Sequence, residues 1–412
     1  MFNAPPRERE WVSWSWVAAW SAVIFITIPF VRSLQQMVYE RWGREVFTYF
    51  VVGSLLAVAC AGILRLLISR RTVSKAGTLW LGAVTGVTMY SAAYMNISPE
   101  EAVHFLEYGF LGLLLFRALS HRHRDAGVYL AAVLVGALIG STDEFIQWIV
   151  PRRFFDFRDI GLNTYALILM QVAMVKGVRP PFIARELGPG SIRCICNLAS
   201  ALVLMLALFA SNTPAAIEWY TAKFPSLAHA KACDLMAEYG FRYDDPDIGI
   251  FFSRLPPGQL RKQDDERCAD AAAVLDRFTS PSDYDKFLER YTPFNDPFLH
   301  EARVHLFRRD HYSSVARKYW NDPEKYRYHN TVAFRENQIL EKYFGETLRR
   351  SAYAWKPKDV AELEKEIDPS LHYRSEVSAG LLTGFTERQM WIAALLAWVV
   401  LAAIRRYYGQ QK

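Results

Sequence analysis

The segment DEFIQWIVPRRFFDFRDIGLNTYALI, from Asp143 to Ile168, places four acidic residues, three arginines, a Gln and an Asn between two apolar stretches. Residues 126–140 before it and 165–175 after it contain no charged side chain. Charged groups inside a bilayer are costly, so polar groups at a helix end usually face one another or a water-filled cavity. The segment therefore predicts two membrane-spanning helices whose polar ends meet at one side of a membrane.

Apolar blocks of this kind fill the first half of the chain. The 412 residues are 52% hydrophobic and 22% charged, but the apolar blocks end near Ala210, and 211–388 is polar and rich in Tyr and Phe. A spanning helix needs about 20 mainly apolar residues. Eight segments are candidates: Trp11–Val31, Val46–Ile68, Thr78–Tyr94, Val103–Leu119, Ala126–Val150, Ile160–Val175, Ile192–Ala210 and Phe385–Ile404.

The distribution of Lys and Arg predicts that both termini are cytoplasmic, because positive residues concentrate in cytoplasmic loops. We therefore expect an all-α membrane bundle in a bacterial inner membrane. It divides into a seven-span domain (1–210), an inserted, mainly helical periplasmic or extracellular domain (211–384), and a last span with a cytoplasmic tail (385–412). The net charge of +6 then belongs to the inner loops, so nucleic acid is not expected as a partner.

Three consecutive predicted helices carry polar residues three or four positions apart, a spacing that places each set on one helix face. The sets are His104, Glu107 and Tyr108; Glu144 and Gln147; and Asp159 and Asn163. Because successive spans alternate in direction, all three sets fall at the outer end of the bundle. We expect them to meet there.

Arg152, Arg153 and Arg158 lie in the short link between the fifth and sixth predicted helices, on the side of the membrane where arginine is unusual. A guanidinium forms paired hydrogen bonds with carboxylates and phosphates. The link could therefore neutralise the neighbouring acids or bind the anionic head group of a membrane lipid.

These residues together resemble the VanZ-like family of bacterial membrane proteins. The pattern is His104-x-x-x-Tyr108, Asp143-Glu144-x-x-Gln147-x-x-x-Pro151-x-Arg153 and Asp159-x-x-x-Asn163. The resemblance covers about residues 98–174, within a core of 98–178, and departs at Glu101, where Lys is common, and at Arg152 and Ala166, where Gly is common. It implies a cell-envelope role, since the founding type is associated with resistance to the glycopeptide teicoplanin.

Three interpretations of the polar residues remain open. The first is a buried network that only holds helices together, since polar pairs in membrane bundles contribute about 0.6 kcal/mol each. The second is a site for a lipid-linked or lipopeptide ligand, such as a lipid-linked envelope precursor, at the outer leaflet. Its residues would be His104, Tyr108, Glu144, Gln147, Arg152, Arg153, Asp159 and Asn163.

The third interpretation is an enzyme acting on a lipid phosphate or glycan linkage. Glu144 or Glu107 would be the base, and His104 would carry protons. Arg153 would stabilise developing phosphate charge, and Asp159 is a further candidate. No motif predicts a metal or another cofactor, although His104, Glu144 and Asp159 are of metal-ligating types.

The region 211–384 predicts helices and no enzymatic motif. The segment 331–350 places Ile339, Leu340, Tyr343 and Phe344 on one apolar stripe, which Glu336 interrupts. The spacing of the histidines there does not fit a zinc site, so solvated or capped histidines are expected. Docking of a periplasmic protein partner is a further hypothesis for this region.

The cysteines give one further expectation. Cys60, Cys194 and Cys196 fall in apolar helices and suit core packing. Cys233 and Cys268 are the one pair in the predicted outer region, and an oxidising compartment would allow a disulfide between them.

Overall fold

The computed structural model describes residues 5–43, 75–94, 103–150, 153–233, 235–280 and 283–410, with a few single positions between 46 and 57. It is 73% helix and 4% strand, so the prediction of a mainly helical protein is confirmed. The chain forms two compact units: unit 1 contains Met1–Met236 and Met390–Lys412, and unit 2 contains Ala237–Gln389.

Unit 1 is built from long helices. Those before unit 2 are α1 (Glu10–Trp42), α2 (Lys75–Tyr94), α3 (Val103–Leu119), α4 (Gly127–Ile149), α5 (Phe157–Val172, continued by a π-helical turn Ala173–Val178), α6 (Pro189–Ala210) and α7 (Pro214–Lys223). A 3₁₀ segment, Pro225–Ala232, follows α7.

Unit 2 begins with an antiparallel hairpin of β1 (Phe241–Asp245) and β2 (Gly249–Ser253), which the sequence analysis did not predict. Its helices are α8 (Pro257–Leu275), α9 (Tyr284–Arg290), α10 (Pro297–Lys318), α11 (Pro323–Tyr343), α12 (Gly345–Arg350) and α13 (Pro357–Leu363), with a 3₁₀ turn at Glu364–Glu366. The chain ends with α14 (Glu387–Gln410).

Five helical segments of the described residues are long and apolar enough to cross a membrane. They are Glu10–Phe30, Gly127–Ile149, Phe157–Val178, Pro189–Ala210 and Glu387–Gln410. The predicted span Val46–Ile68 lies largely outside the described residues. Helices α2 and α3 exist but are not among the five, and the 17 residues of α3 extend only about 25 Å. The count of eight spans stays a prediction.

Helix α3 lies inside unit 1, where it packs against α1, α4 and α5. Its residues Tyr108, Leu111 and Leu115 are fully buried. Close approach of α4 to α5 depends on Gly136, because a Cβ there would lie 2.5 Å from a methyl carbon of Leu167. Small residues serve this purpose in membrane bundles, where close backbone packing replaces the hydrophobic effect.

The core of unit 2 joins the hairpin to the antiparallel helices α10 and α11. Gly249, at the start of β2, has a φ of +117°, and a Cβ there would lie 2.3 Å from the carbonyl oxygen of Tyr373. The predicted apolar stripe is confirmed, since Ile339, Leu340 and Phe344 are almost completely buried.

The structure does not contain the disulfide considered for Cys233 and Cys268. Both thiols are free, and each donates a 3.6 Å hydrogen bond to a backbone oxygen nearby, that of His229 for Cys233 and that of Asp265 for Cys268. Cys233 belongs to unit 1 and Cys268 to unit 2.

Candidate functional site

Two buried carboxyl groups, Asp143 and Glu144, lie near the end of α4. Asp143 is 2% exposed and Glu144 is fully buried. The hydroxyl of Tyr108 on α3 donates a 2.9 Å hydrogen bond to Asp143 Oδ2. This bond joins α3 to α4 through two almost completely buried side chains, so it fixes the position of the Asp143 carboxyl.

Glu144 organises the link between α4 and α5. Its Oε1 accepts a 2.8 Å hydrogen bond from Gln147 Nε2, and its Oε2 accepts one of 3.1 Å from the backbone N–H of Asp156. Arg153 in turn donates to Gln147 Oε1. Asp156 caps the N-terminus of α5 by accepting a 2.7 Å hydrogen bond from the N–H of Arg158, as N-cap residues do.

His104 and Glu107 border the same site at the start of α3. His104 Nδ1 lies 3.7 Å from Glu107 Oε2, and the two side chains are 20% and 28% exposed. The His104 ring centroid is 6.1 Å from that of Tyr108. These two side chains therefore lie between the buried Tyr108–Asp143 pair and the surface of the unit.

Asn163 on α5 is fully buried, and neither its Oδ1 nor its Nδ2 has a hydrogen-bond partner among the described residues. Asp143 Oδ1 and Arg153 Nε are also buried and unpaired there. A Cβ placed on Gly140 would lie 3.3 Å from both Asn163 Cβ and Tyr108 Cε1, so Asn163 lies close to the Tyr108 ring. Buried polar groups usually have partners, and a ligand or ordered water would supply them for these atoms.

The structure thus brings together most of the residues that the sequence analysis selected. We call this set the polar cluster: His104, Glu107, Tyr108, Asp143, Glu144, Gln147, Arg153 and Asn163. Asp159 is partly buried near the start of α5, and Arg152 lies outside the described residues.

Asp143 is the member that was neither in the predicted ligand set nor among the catalytic candidates. The sequence contained a signal for it, because Gly136, Gly140, Asp143 and Gln147 are three or four residues apart and share one face of α4. Within the residues that the structure describes, no group of three or more His, Cys, Asp or Glu side chains could hold a metal ion.

A second polar group lies at the other end of the same helices. Glu8 binds Arg117 at the end of α3 and accepts a 2.8 Å hydrogen bond from Ser13. Asp125, before α4, accepts a 2.8 Å hydrogen bond from Ser191 on α6. We call this set the opposite-end network. A groove of about 640 Å³, lined by residues that include Trp14 and Arg122, lies at this end and contains no residue of the polar cluster.

Unit 2 contains buried charges that the sequence analysis did not identify. Glu336 and His305 are 0% and 1% exposed, and His305 Nδ1 lies 2.5 Å from Glu336 Oε2. The expectation that the histidines are solvated or capped is therefore wrong for His305. Glu301, also fully buried, accepts a 2.8 Å hydrogen bond from the N–H of Arg254. These groups lie in the interior of unit 2.

Comparison with known proteins gives one match. Residues 9–175 match the family model described as VanZ/LLP1, so the resemblance to the VanZ-like family is confirmed for the N-terminal part of the chain and extends to α1. No curated protein and no solved structure matches the chain. The N-terminal part of the chain is therefore similar to the VanZ/LLP1 family, and five helical segments of the described residues have the length and apolar composition of membrane spans.

Proposed function

We propose that this VanZ/LLP1-type membrane protein has a role in the bacterial cell envelope and binds a lipid-linked or lipopeptide ligand at its polar cluster. The observation that carries the proposal is the buried, unpaired amide of Asn163 close to the Tyr108 ring, at one end of three helices. A network that only held helices together would leave few such atoms, because each costs about 1–3 kcal/mol unpaired.

Arg153 is the group that suits a phosphate of the ligand. One guanidinium nitrogen, Nη2, donates to Gln147, whereas Nε is buried and has no partner among the described residues. The guanidinium is thus held by the neutral Gln147 amide and retains donors for an anionic group. A fixed guanidinium binds phosphate in a defined orientation, so we expect Arg153 to orient the head group.

Access to the cluster would pass His104 and Glu107, the members at the edge of the site. Both are partly exposed, whereas Tyr108 and Asp143 behind them are buried. In the orientation predicted from Lys and Arg, this end of the bundle faces the outer leaflet. Lipid-linked envelope precursors and lipopeptides would approach from there.

An enzyme acting on a lipid phosphate or glycan linkage is the second candidate. Glu144 would be its base, yet both oxygens of Glu144 already accept hydrogen bonds. A general base must have an oxygen within reach of the proton that it removes. The other candidate base, Glu107, is partly exposed at the edge of the site, and a scaffold whose unit 2 docks a protein partner is the third candidate.

The test is mass spectrometry of the lipids that copurify with the full-length protein. Wild type is compared with Arg153→Ala and with the control Arg122→Ala, which removes an exposed arginine of the other end paired with Glu10. We expect a specific lipid in wild type and in the control, and its loss from Arg153→Ala. The same lipids in all three samples would contradict the proposal and favour the structural network.

Glu144→Gln separates the three candidates. The amide is nearly isosteric but removes the charge that Gln147 and the Asp156 N–H stabilise. A binding protein should lose affinity, an enzyme should retain its ligand and lose turnover, and a scaffold should remain nearly unchanged.

A further inference from the structure

Three buried acceptor atoms of the polar cluster belong to side chains that lie near Tyr108. Asp143 Oδ1 belongs to the carboxyl group that Tyr108 binds through its other oxygen. Asn163 lies beside the same ring across Gly140, and the His104 ring is 6.1 Å away. Asp143 Oδ1, Asn163 Oδ1 and His104 Nδ1 all lack a hydrogen-bond partner among the described residues.

Negative groups predominate around these atoms. Glu107, Asp143 and Glu144 contribute three carboxyl groups. Among the described members of the cluster, the guanidinium of Arg153 is positive at every relevant pH, whereas His104 is positive only when protonated. Arg153 donates to Gln147 rather than to a carboxylate. Buried carboxylates need a compensating positive charge or a proton, so a cationic group suits the site better than an anion.

We infer that the ligand of the polar cluster presents a primary ammonium group to Asp143, Asn163 and His104. The inference deepens the proposed function and rests on it. A primary ammonium carries three N–H donors on one nitrogen, and three side chains near Tyr108 each have an unpaired acceptor atom. The neutral imidazole accepts at Nδ1 when its proton is on Nε2.

The same head group would carry the phosphate that Arg153 binds. Its ammonium would then lie at Asp143 and its phosphate at Arg153, the arrangement of a zwitterionic head group. An aminophospholipid supplies both charges, and the peptide part of a lipopeptide supplies the amine. The shared chemistry is the primary amine, and the test distinguishes the two sources.

Native mass spectrometry of the full-length protein in detergent tests the inference. The lipid probes are phosphatidylethanolamine, phosphatidylcholine and phosphatidylglycerol with identical acyl chains, and the amine probes are N-palmitoyl-lysine amide and its Nε-acetyl form. Phosphatidylcholine keeps the phosphate and the positive charge but has no N–H donor. We expect wild type to bind phosphatidylethanolamine about tenfold better than phosphatidylcholine, a ratio typical of one charged hydrogen-bond set.

Two variants assign the preference to the site. Asp143→Asn and Asn163→Leu should each bring the ratio of phosphatidylethanolamine to phosphatidylcholine binding close to one. The matched control Asp125→Asn changes an acid of the opposite-end network and should leave the ratio unchanged. If one variant does not fold, the other variant and the wild-type ratio still decide.

The remaining outcomes are distinguishable. Stronger binding of N-palmitoyl-lysine amide than of phosphatidylethanolamine and of the Nε-acetyl form identifies a lipopeptide source. Equal binding of phosphatidylethanolamine and phosphatidylcholine, or a preference for phosphatidylglycerol, would overturn the ammonium inference. If that phosphatidylglycerol binding is lost in Arg153→Ala, the proposed function stands without the inference. If no probe binding responds to Arg153→Ala, both fail and the unpaired atoms bind ordered water only.

Discussion

Replacing Glu336 should destabilise unit 2. The carboxylate is fully buried between α10 and α11. Its Oε2 lies 2.5 Å from His305 Nδ1, and its Oε1 accepts hydrogen bonds from Tyr373 and, at 2.7 Å, from Ser375. Arg308 Nε lies 3.0 Å from the same Oε1. One side chain thus joins two helices to the segment that follows α13.

The expected magnitude follows from what each variant leaves unpaired. Glu336→Ala leaves the positive Arg308 and the His305 ring without their buried carboxylate. Removing one partner of a buried pair costs about 3–5 kcal/mol. Glu336→Gln keeps the shape and one acceptor oxygen, so we expect a loss of about 1–3 kcal/mol, as for a buried polar group left incompletely paired.

Hydrogen–deuterium exchange of the full-length protein measures this loss within unit 2 itself. A loss of 3 kcal/mol raises the open population of the affected helices by about two orders of magnitude, so exchange in α10, α11 and residues 373–377 should accelerate accordingly in Glu336→Ala. The matched control is Glu346→Ala, which removes an exposed carboxylate paired with Arg349. Surface pairs contribute about 0–1 kcal/mol. Equal acceleration in the two variants would refute the reasoning.

The dependence on pH gives the same prediction a second test. Burial alone raises the pKa of a carboxyl group, but His305 and the hydroxyls of Tyr373 and Ser375 outweigh it and hold the pKa of Glu336 below its ordinary value. This stabilisation is complete above the pKa of the unfolded carboxyl group and is lost as the pH falls through the lowered folded pKa. Protection of α11 in wild type should therefore fall at acidic pH, whereas the protection in Glu336→Gln should change less.

Gly136→Ala should lower the unfolding free energy in detergent by about 1–3 kcal/mol, because the added methyl group meets the Leu167 side chain; Gly161→Ala, which meets nothing within 4 Å, should not lower it. Asp264→Ala should destabilise unit 2 by about 0.5–2 kcal/mol in thermal unfolding, because Asp264 accepts hydrogen bonds from the first N–H groups of α12. Peptide mapping after maleimide treatment without reductant should find both Cys233 and Cys268 labelled, and a linked, unlabelled peptide pair would contradict the free thiols.

The polar cluster could be predicted from sequence because helix period and helix direction determine most of it. Residues three or four apart must share a face, and consecutive antiparallel helices bring the start of one beside the end of the previous one. Which side chains pair is a different question. The helix period gives Tyr108 no particular partner, because its bond to Asp143 depends on how far α4 is rotated about its axis.

Unit 2 was less predictable because its structure depends on contacts distant in sequence. Glu336 interrupts an apolar stripe in the sequence, and only residues 37 and 39 positions later, Tyr373 and Ser375, explain why a carboxylate is tolerated there. The hairpin of β1 and β2 was missed for a similar reason. Each strand has five residues, and the pattern of so short a run leaves the choice between helix and strand ambiguous.

The polar cluster and the opposite-end network together restrict how unit 1 can lie in a membrane. Along α4, Glu144 is 17 residues after Gly127, so the two ends are about 26 Å apart, close to the thickness of a hydrocarbon core, about 30 Å. One polar layer must then lie near each interface, and neither can lie at the centre of the bilayer. Arg117 lies in the last turn of α3, and Arg122 lies between α3 and α4. Because positive residues concentrate in cytoplasmic loops, these arginines favour the cytoplasmic side for the opposite-end network. Locating either layer by impermeant labelling in intact cells would therefore locate both, and a cytoplasmic polar cluster would exclude a ligand that arrives from the outer leaflet.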